Sequence, residues 1–211
     1  MTRLEREVQD GHKQFRNHEA IASGLFEPGK PWHVLWKQDG TSIYYMDIII
    51  LRNNLYISGD LGEAVYCWGD KITPDFLVGL DVGYFFSKCE ASENGRRGKE
   101  WLESAAMDWL KEQWEEVIAE HGNDLSMVAI ATELFEDLRA VAHSEWEWRS
   151  KVMEFHESTD DPISKVLGDE AYSESGLWDA GNVPMARIIL HWLGIKLAFK
   201  SLGFGKEEKA A

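Results

Sequence analysis

A polar run in the first half of the sequence holds the residues best suited to chemistry. Between Ser87 and Arg96 the chain offers a thiol, hydroxyl groups and two cations, which could together hold an anion or the carboxylate of a partner. Cys89 would need an adjacent histidine base to act as a nucleophile, and no histidine lies near it in the sequence. The structural alternative is a helix C-terminus that ends at Asn94-Gly95, with its cations beside the helix dipole. Both interpretations stay open, and the candidate binding residues are Ser87, Lys88, Cys89, Ser92 and Arg96.

A glycine-rich turn, Ser58–Gly62, provides a second candidate site around Asp60. Glycines beside a strand can let backbone amides approach a phosphate, while the carboxylate of Asp60 could hold an ion. The turn should join two antiparallel strands, however, whereas phosphate-binding loops lead into the N-terminus of a helix. Ordinary turn chemistry therefore explains the glycines, and Asp60 is kept as a binding candidate.

The region after the polar run is strongly acidic. Between Lys99 and Asp160 there are 16 Asp and Glu residues against 5 Lys and Arg residues. A negative ridge of this kind could mimic nucleic acid or dock into a basic groove of another protein. The alternative is the solvated face of amphipathic helices. The candidate partner surface consists of Glu112, Glu115, Glu116, Glu120, Glu133 and Glu136.

A third set of side chains could bind a divalent ion if one long helix carried them along one side: Glu133, Glu136, His143 and Glu147. Three further residues could join them only if the chain folded back: Glu154, His156 and Glu157. Metal ligands in helical proteins normally come from several helices, and no second motif of matching spacing occurs. A solvated or salt-bridged helix face is favoured, so we predict no metal and no other cofactor.

The elements that must position these residues are of two kinds. The first is a meander of about four antiparallel strands from Trp32 to Trp68, because β-branched and aromatic runs alternate there with turn residues. Its turns are Asp39-Gly40, Asn53-Asn54 and Gly59–Gly62, and its clearest strands are Ser42–Leu51, Leu55–Ser58 and Glu63–Trp68. Helices are expected before and after it, over Leu4–Ala22, from Thr73-Pro74 as cap and first residue, and over Asp81–Cys89, followed by a loop over Ala91–Gly98.

The second kind is helical. Apolar residues repeat at 3.6-residue spacing from Leu102 to a boundary at His121–Asp124, and again from Met127, with the second helix running on toward Phe155. A short helix begins at Asp161-Pro162. Val183–Phe199 approaches the length of a membrane span, but Arg187, His191 and Lys196 interrupt it. We therefore predict a buried core helix with His191 as a satisfied core histidine.

These elements predict an α+β protein: a meander covered on one face by helices, followed by a helical subdomain of four or so helices. The predicted regions are 1–97 for the meander and 98–205 for the helices, sharing one core because the loop between them is short, with 206–211 as a flexible tail.

The stretch that carries the turn and the polar run also carries a family resemblance. The residues concerned are Leu55-x-Ile57-Ser58-Gly59-Asp60-x-Gly62, followed by Tyr84-Phe85, Lys88-Cys89-x-Ala91-Ser92-x-x-Gly95-Arg96 and Glu100-Trp101. In this third of the chain the sequence resembles a family of uncharacterised proteins encoded by tailed phages and prophages. The resemblance implies a phage or prophage origin and a place of action in the bacterial cytoplasm, and it implies no activity.

Composition limits the classes of function. The net charge of −15 repels phosphate backbones, so direct binding of nucleic acid is disfavoured, and ten tryptophans favour a core or an interface rich in indoles. Two cysteines without metal or disulfide spacing and a polar N-terminus fit a cytoplasmic protein without a membrane partner. We therefore expect a non-enzymatic phage protein that binds and inhibits a host protein. The alternatives are a nucleotide- or nucleic-acid-processing enzyme that uses the Lys88–Arg96 region, and a self-associating structural or regulatory protein.

Overall fold

The computed structural model of the protein describes residues 1–93, 97–172 and 176–205. The chain divides into two compact units: the first unit is Met1–Gly98 with Pro184–Ala211, and the second unit is Lys99–Val183. The second unit is thus an insertion in the sequence of the first. Each unit has its own cluster of buried apolar residues, whereas the sequence suggested regions 1–97 and 98–205 around one shared core. The expected tail, 206–211, lies outside the described residues.

The first unit contains a six-stranded antiparallel sheet whose strands follow one another in sequence order. Its strands are β1 (His18–Ala22), β2 (Trp32–Gln38), β3 (Met46–Leu51), β4 (Asn54–Gly59), β5 (Ala64–Cys67) and β6 (Cys89–Ser92). Two further short strands, β7 (Lys99–Trp101) and β8 (Asn182–Pro184), pair with each other. The predicted α+β class is confirmed, and the sheet has six strands where about four were expected.

The helices are, in chain order, α1 (Arg3–Gln14), α2 (Pro74–Gly79), α3 (Val82–Ser87), α4 (Glu103–His121), α5 (Leu125–Val141), α6 (Glu145–His156), α7 (Pro162–Leu167) and α8 (Ala186–Ser201). Two 3₁₀ turns, Asp169–Tyr172 and Leu177–Asp179, follow α7. In the described part of the chain, no helix has the length and apolar character needed to cross a membrane.

Strict alternation of side chains gives the sheet one buried face. In β2 and β3, Trp32 lies opposite Ile50 and Val34 lies opposite Ile48, and all four side chains are buried. Between them, Ile49 points to the other face and stays 38% exposed. Side chains alternate between the two faces along a strand. This register therefore places the large apolar side chains at alternate positions on the face that the helices cover.

Two strands correct the sequence-based prediction. The first helix ends at Gln14, and His18–Ala22, which was expected to be helical, pairs with β2 as an edge strand. At the other edge, Cys89 was expected to end a helix, but it begins β6 and pairs with Tyr66 of β5. Each segment is too short for its strand pattern to be recognised from the sequence alone. Both segments form strands because they pair with the unpaired backbone groups at an edge of the meander.

Helix α8 provides the centre of the first unit's core and packs against α1, α2, α3 and the first three strands. Ile188, Leu193 and Phe199 are at most 3% exposed, and each such burial contributes about 2 kcal/mol. Gly194 allows the close approach of helix and sheet, because a Cβ atom there would lie 2.1 Å from the terminal methyl of Met46. The sequence predicted a core helix here, and the structure confirms it.

His191 fixes α8 to the sheet by hydrogen bonds at both ring nitrogens. Its Nδ1 lies 3.0 Å from the Tyr66 hydroxyl, and its Nε2 lies 3.2 Å from the carbonyl oxygen of Leu61. The neutral tautomer with a proton on Nε2 satisfies both contacts, accepting from Tyr66 and donating to Leu61. Complete burial lowers the pKa of His191 from 6.5 to about 4, which agrees with a satisfied, uncharged core histidine.

The second unit packs its helices around Trp148, which is fully buried and donates from its indole nitrogen to the carbonyl oxygen of Leu177 at 2.8 Å. Two of its helices begin at aspartate caps: Asp124 caps α5, and Asp161 caps α7 with Pro162 as the first helical residue. The helix expected to run from Met127 toward Phe155 is interrupted. α5 ends at Val141 and α6 starts at Glu145, with the Ser144 hydroxyl as its cap.

Replacing His191 by Gln tests the role of this contact. We expect the free energy of unfolding at pH 7 to fall by about 2 kcal/mol, because buried partners lose hydrogen bonds. In the wild type, the unfolded state takes up a proton near pH 6.5 and the folded state only near pH 4, so lowering the pH reduces stability across that interval. The difference in the free energy of unfolding between the wild type and the variant should therefore shrink by about 2 kcal/mol between pH 7 and pH 5.

Urea unfolding at the two pH values measures this difference. Tyr66→Phe is the matched control, since it removes one hydrogen bond and keeps the imidazole. An equal deficit of His191→Gln at pH 7 and pH 5 would contradict the buried neutral state of His191.

Candidate functional site

In the described part of the polar run around Lys88, the side chains make contacts in different places. Ser87 donates from its hydroxyl to the carbonyl oxygen of Tyr84 at 2.8 Å, and the ammonium of Lys88 lies 4.8 Å from the centre of the Tyr84 ring. Ser92 instead accepts from the backbone N–H of Gly98 at 3.1 Å. Helix α3 ends at Ser87 with Lys88 as its C-cap, whereas the structural interpretation of the run placed the helix end at Asn94-Gly95, and the chain continues directly into β6. Arg96 and the predicted stop at Asn94-Gly95 lie outside the described residues.

Cys89 is poorly placed for nucleophilic chemistry. Its side chain is 4% exposed, and its thiol donates to the carbonyl oxygen of Ala91 at 3.6 Å. Burial, with a smaller contribution from the carboxylate of Glu90, raises the pKa of the Cys89 thiol to about 11. A thiol in this environment stays protonated near neutral pH, so it behaves as a small core residue of the sheet edge.

The glycine-rich turn between β4 and β5 borders a small cavity of about 320 Å³. Asp60 lies on its rim, where one carboxylate oxygen accepts from the backbone N–H of Tyr44 at 2.7 Å. Glu93 and Arg187 complete the lining and form an ion pair. The structure thus brings Asp60 together with Glu93 from the end of the polar run, and the cation beside them comes from α8 and not from Lys88.

This arrangement holds the turn in place. Gly62 has a φ of +88°, and a Cβ atom there would lie 2.8 Å from the Glu93 carboxylate, so the turn packs directly on the ion pair. The cation of Arg187 is already neutralised by Glu93, which leaves little positive potential for an anion such as phosphate. Turn chemistry and packing explain Gly59, Asp60 and Gly62.

The second unit carries the whole net charge of the protein. It contains 21 Asp and Glu residues against 6 Lys and Arg residues, a net charge of −15. The first unit contains 16 residues of each sign and is neutral. Charge is therefore segregated by unit, which the sequence analysis detected only as an acidic stretch.

The predicted acidic residues of α4 all lie on its solvent side. Glu112, Glu115, Glu116 and Glu120 are exposed, while Ala106, Leu110 and Val117 of the same helix are buried. Two basic side chains lie 3.8 Å from this series: Lys111 from Glu115, with both side chains mostly exposed, and His121 from Glu120. Such surface contacts contribute little neutralisation, so α4 presents a ridge with an excess of negative charge.

The two predicted acidic residues of α5 face different cavities. Glu133 lines a cavity of about 500 Å³ together with Asp137, Glu154 and Asp160. Glu136 lines another of about 530 Å³, on the side of α5 that faces α4. Residues three apart on a helix differ in direction by about 60°, so Glu133 and Glu136 lie on adjoining sides of α5 and each lines its own cavity.

The acidic cavity beside Glu133 has apolar side chains and one cation in its lining. The apolar residues are Ile130, Leu134, Phe155 and Pro162, and the cation is Lys165, which forms an ion pair with Asp160. Outside the lining, the ammonium of Lys151 lies 3.2 Å from both Asp137 and Glu154. Partial burial would lower the pKa of Lys151, but these hydrogen bonds outweigh it and raise the pKa above its ordinary value. Sequence reasoning missed Asp137 and Asp160, whose only signal was the general excess of carboxylates.

The suggested metal ligands do not form one group. His143 lies in the break between α5 and α6, where its Nε2 is 3.0 Å from Glu147, while Glu133 shares a cavity with Glu154 and Glu136 lines a different one. His156 packs against the ring of Tyr172. Among residues 1–93, 97–172 and 176–205 there is no group of three or more His, Cys, Asp or Glu side chains that could hold a metal ion.

Comparison of the sequence with protein-family models and with curated proteins, and of the fold with solved structures, found no match. The arguments about function therefore depend on the geometry and charge of this chain.

Alkylation distinguishes a structural Cys89 from a nucleophile. At pH 8 a thiol with a pKa of about 11 is roughly one-thousandth ionised, and burial further limits access. We expect iodoacetamide to modify Cys89 at least tenfold more slowly in the folded protein than in urea. Peptide mass spectrometry would measure this, with the half-buried Cys67 as an internal comparison. Equal rates in the folded and unfolded protein would restore Cys89 as a candidate nucleophile.

Proposed function

We propose that this chain is a non-enzymatic phage or prophage accessory protein that binds and inhibits a host protein through the acidic surface of its second unit. The partner class that fits is a nucleic-acid-binding defence effector, such as a restriction or CRISPR component. In this proposal the protein acts in the bacterial cytoplasm, without direct binding to nucleic acid and without a cofactor.

The observation that carries the proposal is the segregation of charge. Electrostatics of the fold alone do not require one unit to hold all fifteen excess negative charges while the other is neutral. Concentrated like charge weakens a compact state by self-repulsion, so it carries a cost for stability. Binding to a positively charged partner would explain why one unit carries all of the excess negative charge despite its cost in stability.

The chemistry of the surface identifies the kind of partner. Proteins that bind nucleic acid carry Lys and Arg along the groove that contacts phosphates. A ridge of exposed carboxylates, Glu112 to Glu120 on α4, is complementary to such a groove and would compete for it. The same ridge repels a phosphate backbone, so the charge favours a protein partner over nucleic acid.

The sequence resemblance to phage and prophage proteins supports a host partner. That resemblance lies between Leu55 and Trp101, almost wholly in the neutral first unit. In the proposal, the first unit is the folded support and the inserted second unit carries the binding surface.

Neutralising the ridge tests the proposal. We expect the combined variant Glu112→Gln, Glu115→Gln, Glu116→Gln, Glu120→Gln to bind the host partner at least tenfold more weakly, because long-range attraction is lost. Immobilised protein would be used to capture partners from the lysate of a susceptible bacterium, and the affinity for the recovered partner would be measured at several salt concentrations. Expression in a host with an active defence system, followed by a plaque assay, gives the corresponding readout for inhibition.

The matched control removes four exposed or half-exposed carboxylates from the neutral unit: Glu7→Gln, Glu19→Gln, Glu63→Gln and Asp70→Asn. It changes the net charge equally and should keep the affinity and the protection of phage. Equal loss of affinity in both variants would show that the total charge, and not the α4 ridge, causes the effect. Failure of the wild type to retain any basic host protein, or to protect phage, would contradict the proposal.

A further inference from the structure

One tryptophan is exposed in a protein that otherwise buries its indoles. All ten tryptophans lie in the described part of the chain, and nine of them are buried or half-buried. Trp146, at the start of α6, is 77% exposed. An indole left in water in this way forgoes the burial that makes tryptophan favourable in a core, and tryptophan is among the residues most enriched at the centres of interfaces.

Helix α6 presents this indole in a fixed direction. Trp148 and Val152 on the inner side of α6 are fully buried, and the Trp148 indole is held by its hydrogen bond to Leu177. Helical spacing then turns Trp146 and Met153, which is 42% exposed, to the opposite side. A side chain whose helix is anchored loses little conformational freedom when it binds, which favours affinity.

The surroundings of Trp146 are acidic. Trp146 and Met153 line a shallow cavity of about 500 Å³ together with Glu154 and Glu157. Glu157 has no ion-pair partner among the described residues. Glu154 also lines the neighbouring acidic cavity that contains Glu133, so the two cavities meet at α6.

The one cation in the lining of the shallow cavity is already paired. Arg149 contacts Glu145 at 3.2 Å and Asp179 at 3.1 Å. The apolar stripe of α6 therefore lies beside the unpaired Glu157 and beside Glu154, which also contacts the ammonium of Lys151. An occupant must offer apolar side chains to Trp146 and Met153 and positive charge toward Glu157.

We propose that this face of α6 is a docking site for a basic amphipathic helix of a partner protein. The apolar side of that helix packs on Trp146 and Met153, and Lys or Arg side chains beside it contact the unpaired Glu157. Packing of an apolar helix face against a groove is a common form of peptide recognition. The inference rests on the proposed function, since it adds a contact surface on α6 to the α4 ridge and names the part of the partner that binds there.

A synthetic helical peptide of Leu and Lys, with the leucines on one face, provides a defined probe that needs no host protein. We expect the full-length protein to bind it, with an affinity that falls as salt is added. Trp146→Ala should weaken binding at least tenfold, because the central anchor is removed. Glu157→Gln should weaken it less and reduce the salt dependence. Titration calorimetry measures all three, and circular dichroism checks that each variant is folded.

Leu125→Ala is the matched control protein. Leu125 is 82% exposed in the same unit and also lies next to carboxylates, Glu120 and Asp124, but at the start of α5. It should bind the peptide as the wild type does. Peptides of the same composition without an apolar face, and of Leu and Glu, should not bind.

Three results would overturn the inference: no binding of the Leu and Lys peptide, undiminished binding by Trp146→Ala, or equal binding of the peptide that lacks an apolar face. Its failure can be told apart from failure of the proposed function. If a host partner is retained by the wild type and by Trp146→Ala equally, the inference is wrong and the proposed function stands. If no basic host protein is retained, the proposed function fails whatever the peptide does.

Discussion

The packing of α8 on the sheet is the interaction on which the rest of the structure depends. The buried face of the meander needs a cover, and its largest apolar partner is a helix that comes only after the whole second unit. Hydrophobic burial stabilises this packing, and the hydrogen bonds of His191 to Tyr66 and Leu61 fix the position of α8 on the sheet. The chain must therefore return to where it left. The N–H of Met185 donates to the carbonyl oxygen of Gly98 at 2.9 Å, so departure and return points are neighbours.

The two units differ in charge and in the residues that form their cores. The first unit is neutral, and its core holds the predicted turn and polar run in structural roles: Asp60 and Glu93 brace the turn, and Cys89 is packed at the sheet edge. The second unit has its own core around Trp148, and its residues carry the whole excess of carboxylates. The second unit can carry concentrated charge and an exposed indole because its stability comes from its buried apolar residues.

Much of the fold could be predicted because local chemistry determines it. The turns of the meander, the caps at Thr73, Asp124 and Asp161, and the apolar period of α4, α5 and α8 are written in short stretches of sequence. The errors fell where local chemistry is ambiguous. β1 and β6 are short segments at the sheet edges, and the break at Ser144 interrupts a period that continues in phase on both sides.

The sequence by itself determined the α+β class, the excess of acid after Lys99, and the roles of His191 and the glycine turn. Only the tertiary structure decided that the charge belongs to one inserted unit, that Asp60 shares a cavity with Arg187, and that Trp146 alone among ten indoles is largely exposed to solvent. The physical reason is distance along the chain. Caps, turns and periodicity act over a few residues, whereas a neighbour in space can come from any part of a sequence, and burial depends on all of them.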